Sequence, residues 1–302
     1  MSGGERVNDY DASCADCGLP VSAGAGLLRH GAKGWEVFHP AHAPKPGPPP
    51  RGTHPGWHRR RLLALDIGST GHRPGVDRIR SAALRGSDGT AHDWILDIGS
   101  DIQPPADVAP DGLPDGHSGG LSGVSPGGLP TTPPAPRPDP LPPPLALEEL
   151  ATLLTAHLAT GELLVVWFAP HVLSTLHAEL LRHGLPPLAE RLPAGVAPVC
   201  DPLVLDRHAD RYRPGSRSLR AVTEWYGVPH AAPGDPASDA GASLLVAQAV
   251  AACHPPLARL SRPALHTEQI IWYAEQTSRH PDALDWPFTP VEPLPWEPVP
   301  EG

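Results

Sequence analysis

Two short pairs of metal-binding side chains stand near the start of the chain: Cys14 and Cys17 as CxxC, then His39 and His42 as HxxH. Each pair can grip one ion from a tight turn while the stretch between them folds as a hairpin, which is the arrangement a tetrahedral Zn²⁺ needs. Gly18 and Gly34 suit such turns. Four protein ligands leave no open position, so the expected role is structural, in a module of about thirty residues that is too small to hold together by burial alone. The competing readings are a redox CxxC, which has no βαβ pattern around it here, and chance pairing in a chain with 17 His. Chemistry is also suggested by residues 62–71, LLALDIGSTG, where four apolar residues run into Asp66 and Ser69-Thr70-Gly71 then break the strand. A carboxylate is thereby presented at a strand end.

The elements that must position these groups follow from periodicity and turn chemistry. The module occupies residues 1–43 and is followed by a Pro-rich linker, 44–60. Strands are expected at 61–67, 77–84 and 91–98, with turn residues between them, as an antiparallel meander. Residues 101–144 are dominated by Pro and Gly without a period and read as an unfolded insertion. Leu147, Leu150, Leu153, Leu154 and Leu158 then mark one face of a helix, LLVVWF at 163–168 reads as a strand buried on both faces, and Leu173, Leu176, Leu180 and Leu181 mark a second helix. A last strand at 196–201, a helix capped by Ser218 and stopped by Gly227, and another starting near Ser238 complete a main domain over 61–255. A helical segment at 267–276 and a Pro- and Trp-rich tail fill 256–302. The expected fold class is α/β: a mixed sheet of three meandering antiparallel strands plus parallel strands, covered by helices.

Forty-three Pro and 31 Gly in 302 residues exclude regular structure from much of the length. The net charge of -10 argues against tight, unspecific binding to nucleic acid, because neutralising phosphates requires a surplus of basic groups. No signal peptide or membrane-spanning run is read, and the four cysteines fit a reduced compartment, so a cytoplasmic protein with no membrane partner is expected.

The order of elements, with phrases such as RHGLPPLAERL, CDPLVLDRHADRYRPGSRSL and WYGV, resembles the 3′-to-5′ proofreading exonuclease family, which includes the epsilon subunit of DNA polymerase III and has a ribonuclease H-like fold. The resemblance implies three acidic motifs around two Mg²⁺ or Mn²⁺ ions: Asp-x-Glu at the end of the first strand, Asp at the head of the helix after the buried strand, and His-Asp-x-x-x-Asp on the last helix. Hard oxygen ligands are needed to activate water and stabilise the leaving oxygen. By this register Asp66 and Asp239 remain, with Asp235 matched, while Gly68 replaces the glutamate, Val172 the second-motif aspartate and Gly234 the histidine.

A degenerate exonuclease-like protein, impaired in catalysis and retained for binding, is the expectation this supports. Its candidate contacts to a single-stranded DNA or RNA 3′ end are Thr70, His171, Arg213 and Arg217, the arginines lying in a basic run that reads more readily as a solvated loop interleaved with Asp206 and Asp210. Trp167 and Phe168 read more readily as core than as stacking faces. One alternative is an active exonuclease rescued by His171, His230 or Asp97. Another is a protein-docking module, in which the front module, similar to a zinc knuckle, and the Pro-rich segments meet a protein partner.

Overall fold

In the computed structural model of the chain, residues 6–31, 34–43, 47–99, 138–213 and 215–294 are described. They form two compact units, one of residues up to Pro48 together with Asp210–Ser216, the other of Pro49–Ala209 and Arg217 onward. The expected insertion, 101–144, lies outside the described residues up to 137, and so does the end of the tail.

The first unit is two small antiparallel ladders, β1 (Ala12–Ser13) with β2 (Pro20–Val21) and β3 (Leu27–Gly31) with β4 (Gly34–Phe38). Its interior is polar as well as apolar. Asn8 is buried and clamps three strands of chain, donating to the Tyr10 and Ser22 carbonyls at 2.8 and 2.9 Å and accepting from Gly26 N–H at 2.7 Å. So few buried side chains cannot offset the entropy of ordering the segment, which leaves room for a metal to do so.

The second unit is built on a five-stranded sheet. β5 (Leu62–Ser69), β6 (Ile79–Gly86) and β7 (Ala91–Ile95) form the antiparallel meander; β8 (Leu163–Val166) and β9 (Val199–Cys200) extend it in parallel on the other side of β5, giving the order β7-β6-β5-β8-β9. This order, with one antiparallel strand between β5 and the edge strand β7, is the ribonuclease H-like arrangement expected. Leu62, Ala64 and Leu65 are fully buried and Leu63 nearly so. Successive strand residues point to opposite faces, so both faces of β5 are covered.

The helices are α1 (Pro143–Ala159), α2 (Ala169–Arg182), α3 (Leu188–Arg191), α4 (Pro202–Ala209), α5 (Leu219–Tyr226), α6 (Pro236–Cys253), α7 (Pro255–Ala258) and α8 (Arg262–Thr277). α6 lies against β5, β6 and β8 with α4 and α5 packed on it, and α1 packs on β8, α2 and α3. Ser218 accepts Ala221 N–H at the head of α5, and Gly227 ends the helix at φ 60°, where a side chain would be strained. Two boundaries depart from expectation. α1 begins at Pro143, inside the expected insertion, because proline's fixed φ and missing N–H suit the first turn. The stretch expected as a linker is bound from Arg51 on: Arg51 donates to the Tyr226 carbonyl, Gly52 N–H to that of Ala252, His54 pairs with that of Ala251, and Trp57 Nε1 donates to that of Leu257.

Candidate functional site

Asp66 stands near the end of β5, which packs against α6, with Pro236 at the head of that helix beside Gly68. Burial raises the Asp66 carboxyl well above the usual range, and the charges of Asp239 and Asp235 push it further the same way. The charges of Asp239 and Asp235, 173 and 169 positions further along the chain, thus reach Asp66. Asp239, in the first turn of α6, is already engaged: His230 Nε2 lies 2.6 Å from its Oδ1, and Gly234 N–H donates to both of its oxygens at 3.2 and 3.1 Å. Burial raises the Asp239 carboxyl too, against the lowering pull of His230 and Gly234. Asp235 is the N-cap of α6, accepting Ser238 N–H at 3.2 Å.

The three positions expected to be replaced, Gly68, Val172 and Gly234, are not vacant seats. A Cβ on Gly68 would meet Ser81 Oγ at 2.5 Å and Pro236 Cγ at 3.3 Å, so the space beside the strand end is taken by β6 and the head of α6. Val172 is 4 % exposed and belongs to the hydrophobic core. Gly234 has φ 89°, a backbone conformation that histidine rarely adopts. Asp66, Asp235 and Asp239 are not a converging ligand set; among the described residues, only the Cys-His cluster brings three or more ligand atoms together. The side chains present do not fit a two-metal centre.

The remaining candidates have local structural work. Thr70 closes the β5–β6 turn, its N–H donating to the Arg78 carbonyl and its Oγ1 accepting Arg78 N–H, both at 2.9 Å. Gly71 is required beside it because the Asp77 carboxylate lies 2.7 Å from where a Cβ would be. His171 is buried on α2, stacked at 6.1 Å on Phe168 and tilted against His72 at 5.9 Å. Trp167 is core, as expected. Arg213 and Arg217 are each only 8 % exposed, and Arg217 donates to Asp206 Oδ2 at 2.7 Å, so neither is a solvent-facing phosphate contact. Asp97 is exposed and accepts Gly99 N–H in its own turn.

Sequence reasoning missed Asp201. Fully buried, it accepts Phe168 and Ala169 N–H at the head of α2 and Leu203 N–H at the head of α4, at 3.2, 2.8 and 3.0 Å. Burial carries its carboxyl up to about 6 even though these three donors favour the charged form. The only sequence signal was its place between a short strand and Pro202.

The Cys-His cluster is different in kind. The ligand atoms of Cys14, Cys17, His39 and His42 all lie within 4.8 Å of one another, with Cys17 Sγ 3.5 Å from His39 Nδ1 and Cys14 Sγ 3.7 Å from His42 Nδ1. Tetrahedral Zn²⁺ with ordinary bond lengths requires sulfur and nitrogen about 3.5 Å apart. His39 Nε2 lies 3.2 Å from the Pro20 carbonyl, which fixes the tautomer that offers Nδ1 to a metal. Burial raises the Cys14 thiol, but N–H groups of Cys17, His39 and Asp16 and the His42 ring outweigh it and bring the thiol down to about 5. This set can hold a metal ion.

No protein-family model and no curated protein matches the chain. Among solved structures it is similar to exonuclease I at 15 % identity and a TM-score of 0.47, over 65 % of this chain and 42 % of that one. A zinc-bound complex of the E. coli enzyme with single-stranded DNA gives 16 % and 0.45 over 65 % and 41 %, and its complex with a dT13 oligonucleotide 14 % and 0.44 over 65 % and 42 %. The chain thus spans about two-fifths of the length of these proteins. Among the described residues, no helix is long and apolar enough to cross a membrane.

Proposed function

We propose that the chain is an exonuclease-like protein that no longer performs two-metal hydrolysis and serves as a binding protein for a nucleic-acid 3′ end or a protein partner, with Zn²⁺ holding its front module. The observation that carries this reading is the second-motif position: Val172 is packed in the core, so the helix that should present a carboxylate presents a methyl-bearing face to its neighbours. Deleting metal ligands and the general base together forfeits factors of about 10² to 10⁴ each. Four cysteines without a disulfide suit a reducing, cytoplasmic setting.

One observation favours the rival enzyme reading: His230 is held against Asp239, where a base would be useful. Incubation of a 3′-labelled oligonucleotide with Mg²⁺ or Mn²⁺ separates the two. The expected result is no metal-dependent shortening. Shortening that disappears in Asp66→Ala/Asp239→Ala establishes an active exonuclease instead.

A further inference from the structure

A cavity of about 720 Å³ opens between two segments of the second unit, Pro55–Arg60 and Ala258–Pro263. It lies at the opposite end of the sheet from Asp66, since the single 3₁₀ turn Trp57–Arg59 leads into the start of β5 and Glu162, which pairs with Arg262, precedes the start of β8. The walls are held closely. A Cβ on Gly56 would overlap the Ala258 carbonyl, Trp57 Nε1 donates to the Leu257 carbonyl at 2.9 Å, and Arg59 Nε to that of His54 at 3.1 Å. Ser261 caps α8 through Ala264 N–H.

Four arginines line this cavity and no carboxylate does. Arg59, Arg60 and Arg259 are exposed, and among the described residues only Arg262 of the four is in a salt bridge. On a chain of net charge -10 this is a local inversion of the field.

We propose that this cleft binds the phosphodiester backbone of a nucleic-acid strand, at a place separate from the Asp66 end. Guanidinium forks match phosphate oxygens in pairs, and the N-terminus of α8 adds the positive end of a 16-residue helix and the N–H of Arg262, which has no partner within the helix. Trp57, Ala258, Leu260 and Pro263 give an apolar floor for the sugars between the phosphates. The site stands independently of whether the Asp66 end also binds.

The test is fluorescence anisotropy of the full chain with a labelled single-stranded oligo(dT), between about 50 and 200 mM salt. Arg60→Ser/Arg259→Ser should weaken binding about tenfold or more and lower the slope of log affinity against log salt by about 1.4, two phosphate contacts' worth. Both side chains are exposed, so melting should not change. Arg279→Ser, an exposed arginine outside the cleft, should keep the affinity and the slope. Three results overturn the proposal: no binding at low salt, affinity and slope unchanged by the arginine pair, or displacement of the oligonucleotide by poly-glutamate at equal charge, which would assign the cleft to acidic peptides.

Discussion

The Cys-His cluster and the Asp66 end both carry side chains that bind metals elsewhere, yet they are built in opposite ways. At the cluster, four ligand atoms converge within 4.8 Å of one another, a carbonyl orients one imidazole, and backbone N–H groups stabilise a thiolate. Near the end of β5, Asp239 is held by His230 and Gly234 N–H and Asp235 by Ser238 N–H, and the flanking space is filled by Ser81, Pro236 and core valine. Ligand type alone does not make a site; what decides is whether the neighbours leave the lone pairs pointing at one empty point.

The sharpest way to break this contrast is to remove the metal. Chelation, or Cys17→Ser, should abolish the amide dispersion of residues 6–43 while leaving the sheet of the second unit intact, because binding worth about 10 kcal/mol or more is then folding energy for the small unit. Retained dispersion in the chelated protein would reduce the cluster to a fortuitous grouping. Next in size is Val172→Asp. If the position were an idle ligand seat, the carboxylate would be tolerated; in a packed core it should cost about 3 kcal/mol or more in denaturant unfolding and confer no nuclease activity.

The pH dependence of stability sharpens the other side. Asp201 is raised to about 6 by burial, so the folded protein keeps a proton that the unfolded chain releases above its ordinary value near 4. Stability from this group should therefore fall as pH rises from about 4 to 6, by up to about 3 kcal/mol, and level off above. Asp66 and Asp239, also raised, act with the same sign. Asp201→Asn should flatten the slope in urea titrations across that window; an unchanged slope would mean another group carries it. The smallest effect is Gly68→Ala, expected to cost about 1 kcal/mol as Ser81 turns away.

Much of the second unit was legible because its elements repeat simple signals. LLALDIGS, IRSAALRG and AHDWI gave the meander through turn residues at their ends, and leucine spacing gave α1 and α2. The Ser218 cap and the Gly227 stop were readable one residue at a time. α4 was missed because its second half, DRHA, was read as the start of a basic loop, and its buried Asp206 and the arginine that pairs with it are 11 positions apart. Asp201 was invisible for a related reason: two of its three donors lie more than 30 positions away. The Pro-rich approach to β5 looked like a tether because composition does not reveal that Gly56 and Trp57 fit against α7. At the candidate site the strand-end place of Asp66 and the helix-head place of Asp239 were legible, but the Ser81, Pro236 and His230 side chains around them are tertiary and were not.

The proposed reading puts one metal ion at Cys14, Cys17, His39 and His42, which can hold it, and none at Asp66 and Asp239. Elemental analysis combined with calorimetric titration of Zn²⁺ and Mn²⁺ tests it directly. The account predicts one Zn²⁺ per chain, lost in Cys17→Ser and unaffected by Asp66→Ala/Asp239→Ala, with no Mn²⁺ site. Stoichiometric Mn²⁺ binding that vanishes in the aspartate double variant would contradict it.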